Sequence, residues 1–320
     1  MNKSNPLVSV IVACFNSERY LKPTLDSVLA QTMDDFEIVA VDDCSIDSTP
    51  SILAEYAAKD PRVIIVRHEK NSGRPAYGKN TALKIVRGKY VSFLDHDDLY
   101  LPDKLQVQAD MLEKHSECVA AFHDIELIDD SGNTLSRYLD GFLEKARDYL
   151  ESKPTGYFVS KCDFYKFQSI RYAALHTIST MICPERIVGD DISFDTRYQV
   201  CDDTDLWIRL GMAGPIVYSP NVLALYRQHE TNITRDTIKF DRDTILLLKN
   251  NYARIAAHLS VFENTALRGR ISDALSNQGW HLRCAGRHMA SGRSYIEALW
   301  WQVRMTHIVN ALKALFPVRK

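Results

Sequence analysis

Over the first 125 residues, short apolar runs alternate with segments of helical spacing. Val8-Ser9-Val10-Ile11-Val12 is β-branched and apolar at almost every position, the pattern of a strand covered on both faces. Leu21, Leu25, Val28 and Leu29 then recur at helical spacing. Residues 36–41 predict a second strand, and Pro50 behind Ser48 and Thr49 predicts a helix start. Residues 63–66 predict a third strand, followed by a helix carrying Ala82, Leu83 and Val86. Residues 90–94 predict a fourth strand, Pro102 opens a helix with Leu105, Ala109 and Leu112, and residues 119–122 predict a fifth strand. Apolar strands separated by helices predict an α/β fold with a doubly wound, mostly parallel sheet.

The pattern loosens after residue 125. Tyr, Phe, Lys and His mix through 155–176. Asp202-Asp203-Thr204-Asp205 leads into Leu206-Trp207-Ile208-Arg209-Leu210, a predicted helix that Gly214-Pro215 ends. Residues 216–218 predict one more strand, and residues 236–320 read as helices only. The expected organisation is therefore three regions, 1–125, 126–235 and 236–320, the last a helical extension.

Composition narrows the classes. With 320 residues, 46% hydrophobic and 25% charged, the chain is globular rather than disordered or fibrous. Its 39 basic and 41 acidic residues leave a net charge of −2, so no global attraction to nucleic acid is expected. The seven cysteines are scattered and contain no C-x-x-C, which argues against a zinc site or disulfide framework and for a reducing cytosol. No signal peptide is recognisable, and no run of 18 apolar residues occurs. A cytoplasmic protein is the expectation.

Open α/β sheets bind ligands at the carboxyl ends of their strands. Those ends carry Ala13-Cys14-Phe15-Asn16, Asp42-Asp43-Cys44-Ser45 and Asp95-His96-Asp97-Asp98. The dinucleotide turn G-x-G-x-x-G and the phosphate loop G-x-x-x-x-G-K-[ST] are both absent. In extended backbone, the two carboxylates of Asp95-His96-Asp97 face one side and suit a hard divalent cation beside a diphosphate; the competing role is a helix cap. Asp42-Asp43 suits a nucleobase N–H or ribose hydroxyl, or a turn. Asp202-Asp203 suits a general base, or complements the dipole of the helix it opens. His229 is a metal or phosphate ligand or an ordinary histidine. Arg74, Lys79 and Arg227 are solvent charges unless a diphosphate gathers them.

Five ordered pieces between Pro6 and about Thr234 resemble the family 2 glycosyltransferases: the 8–12 strand with Asn16; Val41-Asp42-Asp43-Cys44-Ser45 through Thr49; Asn71-Ser72-Gly73 with Lys79-Asn80; Gly88 through Asp98; and Asp202 through Leu210. Tyr226-Arg227-Gln228-His229 is similar to a further segment of that family. The resemblance implies the GT-A fold, with a nucleotide-sugar-binding half at 1–125 and an acceptor-binding, catalytic half at 126–235. It implies an inverting transfer of one sugar per event from a nucleotide-diphospho-sugar, with a UDP-sugar favoured and Mn²⁺ or Mg²⁺ as cofactor. The implied donor-binding residues are Ala13, Phe15, Asn16, Asp42, Asp43 and Asp95, with the cations Arg74, Lys79 and Arg227. Asp97, Asp95 and His229 form the implied metal set, and Asp203 with Asp202 the catalytic pair. Asp202 stands where the family more usually has glutamate, and Lys79 where arginine is common, which loses the bidentate fork. The Q-x-x-R-W motif of processive members is absent. A glycan or lipid-linked acceptor in cell-envelope or capsule synthesis is implied. A GT-A module that binds without transfer, or a sugar-nucleotide pyrophosphorylase, is the alternative.

Residues 283–320 carry seven basic side chains against one acid, Glu297. Ala298, Trp301, Met305, Ile308, Leu312 and Leu315 recur at spacings of three and four, which predicts one helix with one apolar stripe. Such a helix suits peripheral contact with an anionic leaflet, or packing on protein.

Overall fold

The computed structural model describes residues 5–171, 174–188 and 192–314. The chain divides into two compact units. The first holds residues 1–165, 173–197 and 202–229, and the second holds 166–172, 198–201 and 230–320.

The first unit is built on a mixed sheet. Its strands are β1 Val8–Cys14, β2 Phe36–Asp42, β3 Val63–Arg67, β4 Tyr90–Asp95, β5 Leu99–Tyr100, β6 Ala120–Ile128, β7 Thr134–Arg137, β8 Leu150–Ser152, β9 Phe158–Ser160, β10 Thr180–Ile182 and β11 Ile216–Arg227. The main order is β3-β2-β1-β4-β10-β6-β11-β9-β8, with β5 on β11 and β7 on β6. β1 runs parallel to both β2 and β4, and β2 parallel to β3. These are the four apolar runs of the sequence. Val8, Val10, Ile11 and Val12 on β1, and all of β2, are buried, as continuous hydrophobic strands require.

Helices α1 Leu21–Leu29, α2 Thr49–Lys59, α3 Pro75–Leu83 and α4 Lys104–Lys114 follow β1, β2, β3 and β5; α5 Phe142–Ala146, α6 Phe164–Ile170 and α7 Asp202–Ala213 come later. Gly78 lets α3 approach the sheet: a Cβ there would stand 3.2 Å from Ala13 Cβ.

Three expectations need correction here. The helix expected to reach Val86 ends at Leu83. The parallel repeat is interrupted because the three-residue β10 lies antiparallel between β4 and β6. The strand expected at 216–218 continues to Arg227, paired parallel with β6, and so carries Tyr226 and Arg227.

The second unit is helical: α8 Thr237–Ile255, α9 Val261–Cys284, α10 His288–Trp301 and α11 Met305–Lys313. α9 opens on a capping box in which Ser260 and Glu263 satisfy each other's backbone N–H. The single C-terminal helix predicted from the apolar stripe is two helices. Arg268 donates to the carbonyls of Trp300 and Trp301 at 2.9 and 3.1 Å, and Ser272 donates to that of Ala298 at 2.8 Å. These side chains bond carbonyls at the end of α10, where Gln302 N–H also reaches the Ala298 carbonyl at 3.0 Å, and the chain turns before Met305. Leu315, Arg319 and Lys320 lie outside the described residues. No helix among the described residues is long and apolar enough to cross a membrane.

Candidate active site

The loops after β1 and β2 are stapled together. Asn16 N–H donates to Ser45 Oγ at 2.9 Å, and Asn16 Oδ1 accepts from Ile46 N–H at 3.0 Å. Asn16 and Cys44 adopt left-handed φ values of 48° and 62°, a conformation that asparagine's short polar arm tolerates. Phe15 is left exposed beside them, while Ala13 packs under α3.

Asp42 and Asp43 end β2 with different partners. Asp42 is buried, accepts from Ser45 N–H at 3.0 Å and pairs with Arg67 at 3.1 Å. Asp43 accepts from Ser72 N–H at 2.9 Å, from Ser72 Oγ at 2.7 Å, and meets His68 Nδ1 at 2.7 Å. Its carboxylate therefore anchors the Asn71-Ser72-Gly73 turn that leads to Arg74. Arg74 itself donates to the Thr196 carbonyl.

Asp95 is the last residue of β4, but Asp97 lies in the turn that follows, closed by Asp98 N–H to the Asp95 carbonyl at 3.2 Å. The extended D-x-D is thus corrected: a turn, not alternation along a strand, brings these carboxylates near each other. Asp97 Oδ2 meets His229 Nε2 at 2.9 Å. The His229 ring stacks on Tyr20 at 4.8 Å. Burial pushes the Asp97 carboxyl up, but His96 and His229 outweigh it and hold it below its ordinary value. Burial pushes Asp95 up, against the pull of Lys79, and its neighbour Asp97 adds to the rise. Asp98 is fully buried and lies well above the carboxylate range, from burial and from repulsion by Asp97 and Asp95. Among the described residues no three His, Cys, Asp or Glu side chains gather at metal-binding spacing, so Asp97, Asp95 and His229 do not make a protein-only cage.

Two cations implied as donor ligands, and otherwise expected in solvent, are inside. Lys79 is buried on α3, 3.2 Å from Asp202 Oδ2 and over the Phe194 ring at 4.9 Å. Burial opposes its charge, yet Asp202, Asp95 and Asp203 together raise its ammonium above the usual value. Arg227 is buried at the end of β11. It donates to the Asp97 carbonyl at 3.1 Å and to the Asp130 carbonyl at 3.1 Å, and its own N–H donates to Asp98 Oδ1 at 2.8 Å. It ties down the turn that carries Asp97.

α7 begins at Asp202, so both acids sit in its first turn, where the helix dipole favours negative charge. Asp202 is buried against Lys79. Burial, with repulsion from Asp203 and Asp95, pushes it up to about 6. Asp203 is half-buried, accepting from Thr204 N–H at 2.6 Å and from Thr177 Oγ at 3.0 Å. The Asp203 charge lies close enough to act on Asp95, Lys79 and Asp202. Thr177, His176, Tyr20 and Phe194 escaped the sequence reading, in which Asp98 stands in the strand-end cluster without a role. His176, packed on Tyr226 at 4.7 Å, closes the mixed 155–176 stretch, which was the one signal available.

A strand-end edge lined with acids, a pair of aspartates at a helix start and this strand order are those of a GT-A fold. The model of the family described as glycosyl transferase family 2 matches residues 9–173, and the chain belongs to that family. An uncharacterised glycosyltransferase of Methanocaldococcus jannaschii is 32% identical over 206 residues, 64% of each chain. A Bacillus subtilis protein, TuaG, whose name assigns it to teichuronic acid biosynthesis, is 39% identical over 139 residues, 43% of this chain and 54% of its own. The matches thus span less than two thirds of these two relatives. S. aureus TarS 1-349 in complex with UDP-GlcNAc shares the fold with a TM-score of 0.60 at 18% identity, covering 96% of this chain and 79% of that one. The Pyrobaculum calidifontis mannosyltransferase PcManGT, in complex with GDP-Man and Mn²⁺, does so with a TM-score of 0.55 at 18% identity, covering 98% and 88%.

Proposed function

We propose that this chain transfers a single sugar, with inversion, from a nucleotide-diphospho-sugar to a hydroxyl of a glycan or lipid-linked acceptor in cell-envelope polysaccharide synthesis. A UDP-sugar is the favoured donor. The observation that carries the reading is the half-buried Asp203 carboxylate at the start of α7, within electrostatic reach of Asp95 at the end of β4. The nucleotides in the TarS and PcManGT complexes support the donor class.

Asp203 takes the proton of the acceptor hydroxyl as its oxygen bonds to the anomeric carbon. The bond from that carbon to the diphosphate breaks on the opposite face, and nucleoside diphosphate leaves. Thr177 and Thr204 hold the carboxylate in place for this step. Asp43 and its turn form the base-binding wall.

One ionised carboxylate oxygen and one imidazole nitrogen, 2.9 Å apart, fit a divalent cation that takes its other ligands from phosphate and water. Asp97 and His229 would hold Mn²⁺ or Mg²⁺, which when bound neutralises charge on the diphosphate. The Lys79–Asp202 pair and Arg227 position this machinery.

The test is release of nucleoside diphosphate from a panel of UDP- and GDP-sugars, with Mn²⁺ and with EDTA. Asp203→Asn is expected to lower turnover by ~10²–10⁴ with donor affinity kept. Release of pyrophosphate instead, or an Asp203→Asn enzyme as fast as wild type, would refute the assignment.

A further inference from the structure

α11 is turned inside out. A helix of a globular protein normally buries its apolar stripe. Here Met305, Ile308, Val309 and Leu312, which form one stripe at helical spacing, all face outward. The buried side chain is polar: His307, whose Nδ1 meets Ser272 Oγ of α9 at 3.3 Å. Trp300 is 80% exposed, Met305 72% and Leu312 61%. On α10, the exposed Met289, Arg293, Ile296 and Trp300 recur at spacings of three and four. A cleft of ≈ 460 Å³ lies along this stripe, lined by Arg268, Arg293, Ile296, Glu297, Trp300 and Trp301.

Charge selects the partner. Residues 283–320 hold seven basic side chains and one acid. That acid, Glu297, is already paired with Lys249. Arg304 pairs with Asp273 of α9, while Arg287, Arg293 and Lys313 are exposed; predominantly basic exposed side chains disfavour a second copy, since a two-fold interface would set like charges together. An exposed tryptophan, an apolar stripe and exposed basic side chains match a surface that is apolar and anionic at once. We propose that the outer faces of α10 and α11 dock on an anionic membrane leaflet, with the apolar side chains entering the headgroup layer. The proposal does not depend on sugar transfer.

Co-sedimentation of the full chain with phosphatidylglycerol–phosphatidylcholine vesicles, and with phosphatidylcholine vesicles alone, tests it. The protein is expected to pellet with the anionic vesicles at low salt, and less as salt is raised. Ile308→Asp combined with Leu312→Asp changes exposed positions only. It is expected to lower the vesicle-bound fraction at least about tenfold with the far-ultraviolet circular dichroism unchanged. Wild type remaining in the supernatant, or a double variant that pellets as well as wild type, would overturn the proposal. So would light scattering that shows a dimer dispersed by the double variant while vesicles bind neither protein.

Discussion

Lys79→Met removes a buried cation while keeping the length of its stem and its packing on Phe194. The Lys79 Nζ to Asp202 Oδ2 distance is 3.2 Å. At an effective dielectric of about 20, that separation corresponds to a gross attraction of about 5 kcal/mol. Part of it offsets the cost of burying both ions, but removing one partner leaves the other uncompensated, at a loss of about 3–5 kcal/mol. The loss should depend on pH. Lys79 is raised, so its own contribution persists across the acid and neutral range and disappears only in strong alkali. Asp202 is also raised, to about 6 in the fold, so stability falls as pH rises from its unfolded value through about 6. Without Lys79 that rise is larger, so the fall extends to higher pH. The gap between variant and wild type is therefore expected to be small near pH 4 and to widen from about pH 6 upward. Urea unfolding followed by tryptophan fluorescence measures it, in a background with Trp280, Trp300 and Trp301 changed to Phe. Trp207 is then the only reporter and belongs to the first unit. This isolates one transition in a chain of two units. A loss below about 1 kcal/mol at pH 8, or one that is flat from pH 4 to 8, would refute the assignment of Lys79 as the counter-ion that stabilises this acidic edge.

Two further outcomes are expected. Asp43→Ala should weaken UDP binding by about 1.5–3 kcal/mol in titration calorimetry and speed hydrogen exchange at the Ser72 amide, which the carboxylate anchors; unchanged affinity would leave Asp43 a turn anchor alone. Gly88→Ala should cost at least about 1–3 kcal/mol by the same fluorescence assay, because a Cβ there would stand 2.5 Å from the Ser9 amide nitrogen; wild-type stability would refute the close approach.

The sequence carried most of the sheet and missed most of the partnerships, for one physical reason. A strand buried on both faces has no choice but to be apolar throughout, so β1 to β4 are legible one at a time. Motifs at their carboxyl ends are legible for the same reason, since the strand fixes where the edge falls. Partnership is not a local property. Lys79 reads as a solvent cation or a phosphate ligand until a residue 123 positions away is folded onto it. The turn that carries Asp97 is fixed by Arg227, 130 positions away. β10 is three residues long, too short for any period to appear.

The C-terminal helices show the limit most sharply. Gln302-Val303-Arg304 contains neither glycine nor proline, so nothing local ends α10 there. The carbonyls at the break are bonded from α9, by Arg268 and Ser272. Periodicity also states that a helix has an apolar face without stating which way the face points. In α11 the direction is decided by His307, which finds Ser272 inside the unit and so turns Ile308 and Leu312 out. A buried polar side chain must have a partner, whereas an apolar one can be left for another surface to cover.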